Sequence, residues 1–208
     1  MTKVISFISR KGGTGKTTNA INLATYLSDG KKKVLLLETD ANYTLNSLRK
    51  LELFKLKQKK DTYFKIVGSQ DNRVASEIVS LKVRNTYDYI IVDSAGKTTD
   101  QGIRELCLES NMVLITTSIT QNDLLVAYQT VKDLIPATTL NKELKLCLLA
   151  NRIPRFTRMS SVKAQLALIN IDVVEAYVPQ RKNYTSPSTI KPDRHYKNVG
   201  QQIMKQLG

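Results

Sequence analysis

Several features that would direct a reading of this sequence are scarce or missing. There are two cysteines in 208 residues, Cys107 and Cys147, far apart in apolar segments. That pattern offers neither a disulfide framework nor a ligand set for a metal cluster, and it reads as two buried, reduced thiols in a cytosolic protein. No apolar run approaches the ~20 residues of a bilayer span, and the stretch "MTKVISFISR" is apolar over too short a distance for a secretory signal. The one histidine, His195, has no partners and reads as a surface residue. Internal repeats, low-complexity segments and linkers are missing, so residues 1–208 are expected to form one domain with a substantial core. Acidic residues are also few, 18 against 32 Lys plus Arg, which leaves a net charge of +14. An excess of that size points to an anionic partner, either nucleic acid or a membrane surface.

What is present is a regular alternation. Val4 to Ile8 is a short β-branched run that reads as a buried strand, and Ala20, Ile21, Leu23, Ala24 and Leu27 follow at helical spacing up to Asp29-Gly30. Further buried strands are expected at 34–38, 63–68, 87–93, 112–117, 144–151 and 172–178. Helices are expected over 71–84, in the stretch that follows the strand at 112–117 and runs to Leu134 with a break at Pro136, over about 160–169 and over about 194–206. Strands alternating with helices predict an α/β fold, a mostly parallel twisted sheet of about seven strands with helices on both faces. In such a sheet the ligand site lies at the carboxyl ends of the strands.

The loop after the first strand, "SRKGGTGKTT", nearly fits the phosphate-binding pattern G-x-x-x-x-G-K-[ST]. Aligned on Gly15-Lys16-Thr17, the first glycine of the pattern is replaced by Arg10, and Lys11 follows it. The strand–loop–helix context makes the match credible. Backbone N–H groups of Gly12, Gly13, Thr14, Gly15, Lys16 and Thr17 can converge on phosphate oxygens, with the helix N-terminus adding positive charge. Lys16 can reach the β/γ-phosphates, and the Thr17 hydroxyl can ligate Mg²⁺. Asp93, closing "YDYIIVD", is placed to support that metal through water. Asp40, closing "LLLETD", has two readings: an N-cap for a helix starting near Leu45, or a switch-loop residue that positions the attacking water.

"KGGTGKTT", "VLLLETD" and "YDYIIVDSAG", in that order, resemble the ParA/MinD family of deviant Walker ATPases, and the resemblance covers nearly the whole chain. The chain starts at the first strand without an N-terminal DNA-binding extension, and it shares a small-residue "DSAG" turn, so it looks most like the short ParF-type partition proteins. The resemblance implies ATP and Mg²⁺ as ligands, with Lys11, Lys16 and Asp40 as the catalytic set. It also implies a face-to-face homodimer formed with ATP, in which Lys11 reaches the partner's nucleotide. Thr18 would complete the phosphate site, and Asn151, Pro179 and Gln180 would lie at the base. The chain departs from the family's Asp-x-Asp-Pro-Gln, having Glu38-Thr39-Asp40-Ala41-Asn42 there, and "TSITQND" lacks the prolines often found after the fifth strand but keeps Asp123.

The cations fall in three groups: 49–65, beginning with Arg49, which reads as a solvated face; Arg152, Arg155 and Arg158; and a tail with Arg181, Lys182, Lys191, Arg194 and Lys197. The resemblance assigns non-specific DNA binding to the tail, and clustered cations are what phosphate-driven binding needs. The function so implied is a nucleoid-associated DNA-partition ATPase, weak until stimulated by a ParB-like centromere-binding adaptor. The alternatives are a MinD-like membrane-cycling regulator, for which "VGQQIMKQLG" gives a thin apolar face, and a ParA-like positioner of a protein cargo.

Overall fold

The computed structural model describes residues 1–40, 43–96, 100–181, 184 and 187–208. In chain order the elements are β1 (Lys3–Ile8), α1 (Lys16–Asp29), β2 (Val34–Glu38), α2 (Thr44–Lys55), β3 (Lys65–Gly68), α3 (Val74–Arg84), β4 (Tyr89–Asp93) and α4 (Asp100–Glu109). They continue with β5 (Met112–Thr117), α5 (Gln121–Leu140), β6 (Lys145–Ile153), α6 (Met159–Leu166), a 3₁₀ turn (Ala167–Ile169), β7 (Asp172–Val173), β8 (Val178–Pro179) and α7 (Tyr196–Leu207). The sheet order is β3-β2-β4-β1-β5-β6-β7, with β8 also on β6. Every strand pair is parallel.

The strands are apolar on both faces because helices cover both. Val4 and Ile8, Leu35 and Leu37, and Leu146 and Leu148 face one core with residues of α3, α4, α5 and α6. Ile5 and Phe7, Val34 and Leu36, and Cys147 and Leu149 face the other with α1 and α7. The period-2 alternation of side chains along each strand divides a continuous apolar run between two cores. Both cysteines are buried thiols, and burial pushes each up to about 12. Among the described residues, no helix is long and apolar enough to cross a membrane.

Three sequence expectations change. The helix expected to break at Pro136 runs through it to Leu140. Val131, Leu134 and Ala137 are buried on one stripe, so packing continues across the proline, while Pro136 and Lys132 face solvent. Water can then satisfy the carbonyl that a proline leaves without a donor. The strand expected over 172–178 is two short pieces: β7 pairs with Cys147 and Leu148, and β8 with Asn151 and Ile153. The chain advances five positions from Val173 to Val178 while β6 advances only from Leu148 to Asn151, so the intervening chain leaves the ladder.

The third change is Arg49, which is no part of a solvated face. It is 3% exposed. Its guanidinium bonds both carboxylate oxygens of Asp61 at 2.9 Å, the Phe64 carbonyl at 3.1 Å, and Thr189 through both its hydroxyl (2.8 Å) and its carbonyl (2.9 Å). It also stacks on the Phe64 ring, 4.7 Å from the centroid. Glu52 completes the cluster by accepting from the Thr189 N–H at 2.9 Å and from its hydroxyl. The planar fork satisfies several carbonyl and carboxylate acceptors at once, and it ties the segment before α7 to α2.

Candidate nucleotide site

The loop from Ser9 to Gly15 leaves β1 at the carboxyl edge of the sheet and enters α1 directly. Gly13 and Gly15 have φ of 74° and 99°, which L side chains rarely adopt. Gly15 is constrained a second way, since a Cβ there would lie 2.1 Å from Asn151 Nδ2. The Asn151 amide donates to the Thr14 carbonyl at 2.7 Å, and its oxygen accepts from Asn19 Nδ2 at 3.3 Å. Asn151 therefore braces the loop from β6 with both ends of its carboxamide. Thr14 is held from another side by Thr116, hydroxyl to hydroxyl at 3.0 Å. Helix α1 has no side-chain N-cap and no acid in its first turn, which leaves its N–H groups available to an anion.

Lys16 is buried and arches back over the loop, its Nζ 3.3 Å from the Lys11 carbonyl and 3.4 Å from that of Ser9. Burial lowers its pKa, and Asp93 and Asp40 partly restore it. Asp93 lies at the end of β4, and burial raises it to about 7, with the Thr17 hydroxyl and then Lys16 pulling it back. One oxygen of Asp93, Oδ1, is buried without a hydrogen-bond partner among the described residues. An orphaned carboxylate oxygen beside an exposed threonine hydroxyl fits a Mg²⁺ site in which the hydroxyl would ligate the ion and the carboxylate would hold one of its waters, the remaining ligands coming from water and phosphate. Gly96, just beyond, passes beside the same loop: a Cβ there would stand 3.6 Å from Gly12 Cα and 3.7 Å from Lys16 Nζ.

Asp40 is exposed, and its charge raises both Lys16 and Asp93, so it stands over the same site. It is not the cap of α2. Glu38 has that role: one oxygen accepts from Thr44 N at 2.9 Å and Thr44 Oγ1 at 3.1 Å, the other from Leu45 N at 3.1 Å. Glu38 pairs in register with Asp93, and burial raises its pKa despite those hydrogen bonds. The sequence reading noted Glu38 only as a departure from the family pattern. Ala41 and Asn42, the rest of that departure, lie outside the described residues.

Arg10, which replaces the usual first glycine, and Lys11, which follows it, both reach α5. Lys11, whose side chain is 44% exposed, places its Nζ 2.5 Å from Asp123 Oδ1. Arg10 bridges Asp100 at the start of α4 and Asp133 on α5, at 2.7 Å each. Lys11 is thus on the outer face of the loop, turned toward its own chain.

Beside the loop a cavity of about 400 Å³ is lined by Thr18, Asn151, Pro179, Gln180 and Arg181, which brings together the residues expected at the base. Arg152 and Tyr184 also line it, in the same two loops, though neither was among the residues expected to touch the base; the Tyr184 carbonyl accepts from Thr18 Oγ1 at 3.2 Å, a contact 166 residues apart in sequence. The basic tail is not brought together. Arg181 borders this cavity, whereas Arg194 and Lys197 line a separate groove against Tyr26 and Leu27 of α1. Lys191 is exposed, and Lys182 lies outside the described residues.

A model of the VirC1 protein family matches residues 2–191. The virC1 protein of Rhizobium rhizogenes is 23% identical over 188 residues, covering 88% of this chain and 79% of that protein. The chromosome-partitioning ATPase Soj of Treponema pallidum (strain Nichols) is 29% identical over 122 residues, a match that spans 45% of this chain and 48% of Soj, about half of that relative's length. Among solved structures, a protein of Borrelia burgdorferi B31 assigned to plasmid partition, with AMPPNP bound, superposes with a TM-score of 0.72 at 20% identity, covering 99% of this chain and 100% of that one. At that identity the likeness concerns the fold. Taken with the loop, the Lys11 position and the order of motifs, these matches identify the chain as a member of the VirC1 protein family and of the wider ParA/MinD group of deviant Walker ATPases.

Proposed function

We propose that residues 1–208 form a single ATPase unit that dimerises around ATP, binds DNA as the dimer and is released when a partner protein stimulates hydrolysis to ADP and phosphate. The observation that carries the first part is the convergence of Lys16, Thr17 and the orphaned Asp93 Oδ1 on one loop. In this reading the loop N–H groups and Lys16 hold the β- and γ-phosphates. Thr17, with Asp93 behind it through water, holds Mg²⁺, which when bound offsets the phosphate charge and leaves the γ-phosphorus open to attack. Asp40 orients the attacking water, and catalysis rests on positioning and charge neutralisation. Asn151 supports this work through the loop, while Pro179 and Gln180 border the base.

Lys11 supports the dimer. Two nucleotides facing each other concentrate negative charge in one interface, and a lysine offered from each side offsets it. The net charge of +14 supports the DNA step, with Arg181, Lys182, Lys191, Arg194 and Lys197 as its candidate contacts. Soj is a chromosome-partitioning ATPase and the Borrelia protein is assigned to plasmid partition, which favours a segregation role with a ParB-like adaptor. A ParA-like positioner of a protein cargo would use the same chemistry. The membrane-cycling alternative gains no support from α7, because Val199, Ile203 and Leu207 are buried in the core against α1 and the apolar face of that helix is taken up by packing.

Light scattering with ADP and then ATP tests this reading. A doubling of mass with ATP that Lys11→Ala removes, together with ATP-dependent retention of random-sequence duplex that salt weakens, is expected. Equal mass with both nucleotides, or no gain in DNA affinity with ATP at any salt, would sink it. Asp40→Ala should bind ATP and accumulate as dimer.

A further inference from the structure

The turn that follows β6 displays an aromatic side chain that the fold does not use. Phe156 is 97% exposed, with φ of 67°. It is the third residue of a four-residue turn closed by Thr157, whose N–H and hydroxyl donate to the Pro154 carbonyl at 3.3 and 2.7 Å. A positive φ at that position suits glycine or asparagine, and a bulky aromatic there is an outlier. The turn is fastened at its base, where the Tyr177 hydroxyl donates to the Thr157 carbonyl at 2.8 Å. Strain kept in a pinned, exposed turn is more often found at sites of function than in scaffolding.

Its neighbours are cationic. Arg152, Arg155 and Arg158 are all exposed, and among the described residues none of them is in an ion pair. Arg152, itself at φ 57°, also borders the cavity beside the phosphate loop, so the turn stands next to the nucleotide site. We propose that this turn is a binding site for single-stranded nucleic acid, in which Phe156 stacks on an unpaired base while Arg152, Arg155 and Arg158 hold the flanking phosphates. The proposal rests on the reading that the chain binds nucleic acid, and it adds a contact distinct from the basic tail.

Phosphate attraction alone needs no aromatic ring, so Phe156 calls for a ligand with an apolar face. An unpaired base offers that face freely, whereas in a duplex the ring must first unstack a base step. A bilayer fits less well, because a single ring set among arginines gives little apolar area for insertion.

The test is fluorescence anisotropy of a labelled oligothymidylate and of a duplex of equal length, with ATP, over a range of salt. Phe156→Asn keeps a residue suited to the left-handed turn, and a thermal melt checks its folding. It should weaken oligothymidylate binding about tenfold or more without changing the salt slope, and Phe156→Trp should restore it. Arg155→Ala and Arg158→Ala should each reduce the slope by about 0.7. An Asn variant that binds oligothymidylate like the parent overturns this inference and leaves ATP-dependent duplex retention standing. An Asn variant that loses only its sedimentation with anionic vesicles overturns it in favour of a membrane contact. If the parent protein with ATP retains neither nucleic acid, the inference falls together with the DNA reading.

Discussion

Lys11 Nζ and Asp123 Oδ1 are 2.5 Å apart, so the lysine expected to reach a second subunit is engaged within its own. Burial by itself would raise the Asp123 carboxyl, but hydrogen bonds from Lys11 and Ser118 outweigh it and hold it below the usual carboxylate range. With the folded pKa depressed, the contact is present above the ordinary value and is lost only as pH falls through the lowered one. It is therefore intact at neutral pH, where the proposed dimerisation through Lys11 would have to compete with it. Asp123→Ala should shift the ATP-dependent monomer–dimer equilibrium toward dimer by up to about fivefold per subunit, matching the ~1 kcal/mol ceiling of an exposed pair. Sedimentation velocity across protein concentration reads this directly, and a variant that dimerises less than the parent would show that Asp123 belongs to the interface instead.

Asp93 gives a pH signature. Its carboxyl is raised by burial from 3.8 to about 7, so the folded state binds its proton more tightly than the unfolded chain does. Its contribution to stability therefore falls as pH rises between those values. A carboxyl that is to hold a Mg²⁺-bound water must first lose that proton, so if Asp93 supports the metal, Mg²⁺ affinity in the presence of nucleotide should rise through about pH 7. Titration calorimetry at about pH 6 and about pH 8 should show tighter Mg²⁺ binding at the higher pH, and Asp93→Asn should abolish the difference. A flat profile in the parent would argue against Asp93 as metal support.

Arg49 should be among the costliest positions outside the site. Arg49→Ala strands the Thr189 and Phe64 carbonyls and removes a buried ring stack, for a loss of about 3 kcal/mol. Arg49→Lys should recover little of it, because an ammonium cannot span acceptors arranged for a planar fork. Urea unfolding measures the loss, and limited proteolysis should show new cleavage near residues 187–190, which Arg49 holds down.

Pro136→Ala should stabilise the protein by about 1–3 kcal/mol. The residue is exposed inside a continuous helix, and alanine restores a donor to the Lys132 carbonyl while relieving the ring clash. Thermal melts would show a raised midpoint, and a lowered one would mean that the proline sets a bend on which α5 packing depends.

What could be read in advance follows the range of the interactions. The phosphate loop, the strand–helix alternation and the strand-end carboxylates are local patterns, legible because glycine placement and side-chain period act over a few residues. Arg49 was misread because its nearer partners, Asp61 and Phe64, sit in a stretch of lysines that reads as solvated, while Thr189, which covers the guanidinium, is 140 positions away. The Lys11–Asp123 contact spans 112 positions and the Asn151 brace on Thr14 spans 137, so the motif identified the loop while its supports stayed hidden. The cap of α2 was a matter of competition. Asp40 is nearer in sequence, but Glu38, at the end of a buried strand, has its carboxylate fixed beneath the helix start. Pro136 shows the opposite error, in which a sound local rule gave way to a buried stripe that packs on both sides of it.

Arg10 gives the departure from the usual loop pattern a mechanical meaning. By joining Asp100 and Asp133, it makes the first position of the loop a stitch between the helices that follow the fourth and fifth strands. A glycine at position 10 would restore the familiar motif and cut that stitch. In the proposed ATPase, a displacement of either helix would be felt at that position, which would couple α4 and α5 to the nucleotide site without either helix touching it.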